Sequence, residues 1–269
     1  MEILAVGLPV PQGRWQGTVH SVFHQSVNLR VPGTGLLCIH RFGFGLLPGS
    51  YYIPQLETAG LRPGDTVRGD KAGLELGGEW YDLSPAAALV DTAIPRRDRE
   101  KIDPIQWRRC RRELDRRQGS GDGEMTEELY RRLRRDIIKL RKGLREGEKE
   151  EVRRQCEAMV GLGQGLTPTG DDMLLGSLAA LTMYEPELGA ALGAAVTPLL
   201  DRTNDISASY LRQAVEGRAA TPVTGALEAL ATGAWEPVET LLQVGHSSGG
   251  DILEGIVSMT EPRERKGTR

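Results

Sequence analysis

The chain is poor in aromatic residues, poor in cysteine and without a long apolar run, and each shortage narrows the field. Aromatics are 5% of the 269 residues, with only 3 Phe. Single-stranded nucleic-acid binders stack bases on aromatic faces, so that class is not expected. No run of 18 apolar residues occurs, which argues against a membrane-spanning helix. The opening MEILAVGLPVPQG has an acid at position 2 and no basic n-region, unlike a secretory leader. Cys38, Cys110 and Cys156 are odd in number, widely spaced and form no CxxC. That pattern reads as reduced thiols in a cytoplasm.

What is abundant is glycine, 34 residues, nearly twice the usual share of roughly 7%. No Gly-X-Y period accompanies it, so collagen is excluded. Fourteen glycines lie in residues 1–95, and nine fall within 161–176 and 245–255. The first group reads as turn punctuation and the second as loop and helix-start chemistry.

Charge is segregated. Residues 1–95 hold 6 basic and 8 acidic side chains, 96–154 hold 21 and 14, and 155–269 hold 7 and 15. The expected organisation follows that division. Residues 1–95 form a β-rich domain, 96–154 a basic helical connector, 155–262 a helical domain with Gly-rich ligand loops, and 263–269 a disordered tail. The expected class is α+β, a barrel-like β-rich half followed by a mainly helical half. In the first part, short apolar runs alternate with turn signals at Pro32-Gly33, Pro48-Gly49, Pro63-Gly64 and Gly77-Gly78. Ser84-Pro85 reads as the start of a helix. In the connector, a helix over 104–117 presents Ile105, Cys110 and Leu114. Gly119–Gly123 is a flexible break, and a second helix carries Leu133, Ile137 and Leu140. The basic face reads chiefly as a solvated or salt-bridged surface, with docking onto an acidic partner or the acidic C-terminal segment as the alternative. Its interleaved acids dilute any phosphate-tracking stripe, so nucleic acid is not an expected partner.

The strongest chemical signal is GLGQGLTPTGDD over 161–172. Alternating Gly161, Gly163 and Gly165 free the backbone to approach a ligand. The stretch then enters a helix, whose N-terminus favours anions. No Lys follows the last glycine, so it is not a nucleotide P-loop. The backbone of Gly163, Gln164 and Gly165, and the side chains or backbone of Thr167, Thr169 and Gly170, are candidate anion contacts. Asp171 and Asp172 could complement the helix dipole, hold a substrate amide, or bind Mg2+, the one candidate cofactor.

A related segment follows 79 residues later. Thr169-Gly170-Asp171-Asp172-Met173-Leu174-Leu175-Gly176 aligns with Ser248-Gly249-Gly250-Asp251-Ile252-Leu253-Glu254-Gly255. The expectation is that two helix starts converge on one pocket, with Asp172 and Asp251 as counterparts. Ser247, Ser248, Gly249 and Gly250 would add ligand contacts. His246 is a candidate acid–base group, with a packing role as the plainer alternative. In the β-rich part, His20 and His24 share a strand face but lack a third ligand for zinc. His20, Ser21 and Asn28 are candidate substrate contacts, and Ser21 and Asn28 also suit a polar contact at a domain interface. Thr203, Ser207 and Leu211 share a helix face, for which packing or capping is the default.

Together, Val19–Phe23 with Asn28, the 161–172 block, Thr203 through Ser207 to Leu211, and Gly245–Asp251 resemble a bacterial family. It was long counted as a domain of unknown function and includes the AllH-like subunit of oxamate carbamoyltransferase, from allantoin (purine) catabolism. The resemblance runs along most of the chain, and the 161–172 block is its most specific part. It implies a multisubunit transferase interconverting oxamate and carbamoyl phosphate with oxalurate and phosphate. Two other subunits, one similar to acyl-CoA synthetase components, would be its partners, and self-association is a further expectation. The Ser-x-Arg-Thr motif of ordinary carbamoyltransferases is absent. Rival readings are a non-catalytic small-anion-binding or assembly subunit, and an unrelated Mg2+-dependent phosphate or carboxylate enzyme.

Overall fold

A computed structural model describes residues 1–118 and 124–262. The expected break at 119–123 and tail at 263–269 lie outside the described residues. The chain divides into two compact units. One comprises Met1–Ala93 with Ala219–Thr221, and the other Ile94–Arg218 and the chain from Pro222 onward.

The first unit is a closed eight-strand barrel. Its strands are β1 (Glu2–Leu8), β2 (Trp15–Val22), β3 (Ser26–Val31), β4 (Gly35–His40), β5 (Ser50–Tyr52), β6 (Thr66–Asp70), β7 (Gly73–Leu76) and β8 (Glu79–Asp91). The order around the barrel is β1-β5-β4-β3-β2-β6-β7-β8. β1 pairs with β8 and β4 with β5 in parallel, and the other pairs are antiparallel. Inward residues such as Ile3, Val27, Leu29, Ile39, Val67, Leu74 and Leu76 fill the interior. Gly77 and Gly78 show why the turn signals mattered. Both have positive φ, +62° and +82°, between the paired residues Leu76 and Glu79. A two-residue hairpin turn of that hand needs positive φ at both central positions.

The helix expected from Ser84-Pro85 is corrected: both residues lie within strand β8. The register of β8 against β1 jumps from Ile3↔Leu83 to Ala5↔Ala88. Pro85, which has no N–H to donate, falls in that irregularity, the place a strand accommodates proline.

The second unit is helical. Its α-helices are α1 (Pro104–Gln118), α2 (Glu124–Glu146), α3 (Lys149–Met159), α4 (Thr169–Tyr184), α5 (Pro186–Val196), α6 (Asp205–Val215), α7 (Thr221–Thr232), α8 (Glu236–Leu242) and α9 (Ser248–Thr260). α2 buries Leu133, Ile137, Leu140 and Leu144 at helical spacing. In α1 the inner face is Gln106, Cys110 and Leu114, whereas Ile105 is exposed. Five residues separate Ile105 from Cys110, more than one turn, so the two point to different sides. α4 and α9 are apolar on nearly every side and buried along most of their lengths, as central helices are.

The segregated charge has a structural outlet here. Arg99 pairs with Glu185, Arg111 and Arg134 with Glu254, and Arg141 with Glu261. Basic residues of 96–154 thus neutralise acids of the C-terminal segment. Others form pairs along their own helix, such as Arg153 with Glu150 and Glu157.

Candidate functional site

The starts of α4 and α9 are built alike. The N–H groups of Asp171 and Asp172 donate to the Pro168 carbonyl at 2.9 and 3.0 Å. Seventy-nine residues on, Gly250 and Asp251 donate to the Ser247 carbonyl at 2.9 and 3.0 Å. Gly170 N–H donates to Leu162 and Gly249 N–H to Val244. A Cβ on Gly170 would fall on the Met159 carbonyl oxygen, and one on Gly249 on that of Leu241. Each start therefore presses glycine against the helix that precedes it, α3 or α8.

The two helices also meet each other through glycine. A Cβ on Gly176 would fall on the Ile252 carbonyl oxygen, and one on Gly255 on that of Met173. The starts lie side by side: the Thr167 and Ser248 hydroxyls are 2.8 Å apart.

Three carboxyls sit at this junction, with two distinct environments. Asp171 is fully engaged. Its Oδ1 accepts from Gly161 N–H at 2.8 Å, and its Oδ2 accepts from the hydroxyls of Thr203 at 2.5 Å and Ser207 at 2.7 Å. It ties the glycine loop to the start of α6. Asn204 completes the tie by capping α6 through Ile206 and Ser207 N–H while its amide donates to the Leu166 carbonyl.

Asp172 and Asp251 are the other environment. They are 3% and 4% exposed, and in each Oδ2 is buried without a hydrogen-bond partner among the described residues. Burial lifts the Asp172 carboxyl well above the usual carboxylate range. The Ser248 hydroxyl beside it acts against the rise, Asp251's charge adds to it, and Thr167 and Asp171 contribute less. Burial also lifts Asp251, to about 7, opposed by the Ser247 and Thr169 hydroxyls and aided by Glu254's charge. Glu254 is itself buried and saturated. It accepts from Arg111 at 2.8 and 2.9 Å, from Tyr130 at 3.2 Å and from Ser258 at 3.0 Å.

Donor groups divide in the same way. The first-turn amides of Gly170, Asp171, Asp172, Gly249, Gly250 and Asp251 are all spent on protein carbonyls. The N–H groups of Gly163, Gln164 and Gly165 donate to no described residue. Gly163 and Gly165 have φ of +132° and +90°, and a Cβ on Gly163 would lie 2.5 Å from the Thr169 nitrogen. This loop is the part of the junction with open amides.

Of the expected site residues, the structure brings together Thr167, Thr169, Asp171, Asp172, Ser247, Ser248 and Asp251. His246 lies exposed on the turn before α9, with no hydrogen bond to a described residue. His20, Ser21 and Asn28 belong to the barrel. Ser21 Oγ accepts from the Asn28 amide at 3.1 Å and lies 3.1 Å from His20 Nδ1. Among the described residues no three His, Cys, Asp or Glu side chains are grouped to hold a metal ion. Asp171, with three donors on its two oxygens, is a tether in this arrangement and not an open half of an Mg2+ pair. Sequence reading missed Glu254, because its partners Arg111 and Tyr130 stand more than a hundred residues away in the chain.

Two family models match the chain. One, described as oxamate carbamoyltransferase subunit AllH, covers residues 159–260. The other, the AllH family N-terminal domain, covers residues 7–88. The first spans both helix starts and everything between them, and the second spans nearly all of the barrel. No solved structure matches the chain.

Proposed function

The chain belongs to the AllH family, and from that premise we propose that it is a subunit of an oxamate carbamoyltransferase-type enzyme whose small substrate seats at the paired starts of α4 and α9. The observation that carries the seat is the pair Asp172 and Asp251: two enclosed carboxyls with unpartnered oxygens beside a glycine loop with open amides. Buried polar atoms are ordinarily paired, so unpaired ones at a junction of this kind favour a ligand. The loop amides of Gly163, Gln164 and Gly165 suit a carboxylate or phosphate. The hydroxyls of Thr167, Thr169, Ser247 and Ser248 add orienting hydrogen bonds. His246, on the exposed turn beside Ser247, is the candidate for moving a proton at the edge of the seat. The partners in this reading are the two other subunits of the transferase.

The test is turnover by the assembled enzyme with oxamate and carbamoyl phosphate, followed as phosphate release. Gly165→Ala forces a side chain into a positive-φ position with nothing in contact with it, so it perturbs the loop backbone alone. The seat predicts a raised KM for this variant with assembly intact. Unchanged kinetics in Gly165→Ala and in Asp172→Asn would remove the seat from this junction.

A further inference from the structure

Asp172 and Asp251 come from two copies of one helix start and share one junction, close enough for the charge of Asp251 to act on Asp172. The same offset of 79 residues relates the carboxyls, the glycines Gly176 and Gly255 that bring the helices together, and the capping carbonyls of Pro168 and Ser247. Each carboxyl keeps Oδ2 enclosed and unpartnered. The groups around them are the hydroxyls of Thr167, Thr169, Ser247 and Ser248 and the charges of Asp171 and Glu254. Asp171 is held by three uncharged donors, the Gly161 N–H and the Thr203 and Ser207 hydroxyls, and Glu254 is balanced by Arg111 and Arg134. No cation is left over for the pair among these.

Two enclosed carboxyls within reach of each other's charge do not both ionise. With one proton between them, one is an O–H donor and the other an acceptor. A primary amide offers the matching edge, a carbonyl that accepts and an N–H that donates. A carboxylate offers acceptors only and adds a second negative charge beside the one the pair already carries.

We propose that the Asp172–Asp251 pair receives the –CO–NH2 end of a small amide acid and excludes a carboxylate from that position. The proposal rests on the seat described above and adds a direction to it. The amide end points inward to the pair, and the acid end outward to the loop amides of Gly163, Gln164 and Gly165.

The experiment is calorimetric titration of the full chain, alone and assembled with its partner subunits, with oxamate, oxalate and N,N-dimethyloxamate. Oxamate should bind, and the other two should bind about a hundredfold more weakly, since one has no N–H and a second charge and the other no N–H. Asp172→Asn and Asp251→Asn should each narrow the ratio of oxamate to oxalate affinity by about tenfold, because the amide side chain tolerates a carboxylate. Oxalate binding as tightly as oxamate to the unaltered protein overturns the proposal and leaves the seat standing. An unchanged ratio in both folded Asn variants does the same. Failure of all three compounds to bind, alone or assembled, overturns the seat and the proposal with it.

Discussion

Gly176 and Gly255 are 79 residues apart, and each lies on the backbone of the other's helix. A Cβ at Gly176 would strike the carbonyl oxygen of Ile252, three residues before Gly255. A Cβ at Gly255 would strike that of Met173, three residues before Gly176. The contact is reciprocal, so the two helices are related as the two halves of a local repeat. Removing the side chains there lets α4 and α9 approach until their first turns, and with them Asp172 and Asp251, share one junction.

Gly176→Ala and Gly255→Ala should each destabilise the chain by about 3 kcal/mol, because the obstacle is backbone and not a flexible side chain. Urea unfolding measures this. The double variant should cost less than the sum, since the first substitution already parts the same two helices. Full additivity would mean that the two glycines do not meet at one contact.

Asp171 and Asp172 are adjacent in sequence and should respond oppositely. In Asp171→Asn, an NH2 replaces an acceptor that now serves either Gly161 N–H or the hydroxyls of Thr203 and Ser207. Leaving buried donors facing a donor costs about 2–3 kcal/mol. Asp172→Asn removes a carboxyl that burial penalises and no donor saturates. Its stability should be unchanged or higher near neutral pH. Equal losses in both variants would contradict the division into tether and open carboxyl.

That division shows where sequence reading stops. Glycine pairs such as Gly77-Gly78 were legible because positive φ is a local demand. The α+β division was legible from turn density and apolar period. Pro85 misled because its place in β8 is set by pairing with β1, a strand eighty residues earlier. The repeat was visible as a pattern of hydroxyl, glycine and aspartate, but the pattern does not say which aspartate is tied down. A helix turns by about 100° per residue, so neighbours face different surroundings, and Asp171's partners Thr203 and Ser207 come from another helix. Approximate helical spacing groups Ile105 with Cys110 and Leu114, and one residue of phase puts Gln106 on their face instead.

Glu254 should be among the most sensitive positions in the helical unit. Its side chain is 1% exposed and accepts from Arg111, Tyr130 and Ser258, with Arg134 also at 3.5 Å. Glu254→Gln leaves Arg111 without its counter-charge in a partly buried setting, while Arg134 keeps Asp115 at 3.3 Å. Breaking one side of a buried pair costs about 3–5 kcal/mol. Arg111 is 19% exposed, so the lower end applies. Combining Glu254→Gln with Arg111→Met should recover part of the loss, measured as coupling in a double-mutant cycle.

The pH dependence of stability follows from Asp251. Its folded pKa, about 7, stands above the ordinary 3.8. Between those values the folded chain holds a proton that the unfolded chain has released. Stability from this group is therefore full below about pH 4 and is lost as pH rises towards 7, at no more than about 1.4 kcal/mol per pH unit. Asp172 is raised in the same direction and steepens the fall. The groups around Asp251 are the hydroxyls of Ser247 and Thr169 and the side chain of Glu254 with its arginines. Unfolding free energies of the native chain and of Asp251→Asn, taken by urea at about pH 5 and about pH 7, isolate the effect. The native chain should lose stability over that interval relative to the variant. A native chain that tracks the variant would mean that Asp251 is ionised throughout, and that any proton of the pair rests on Asp172.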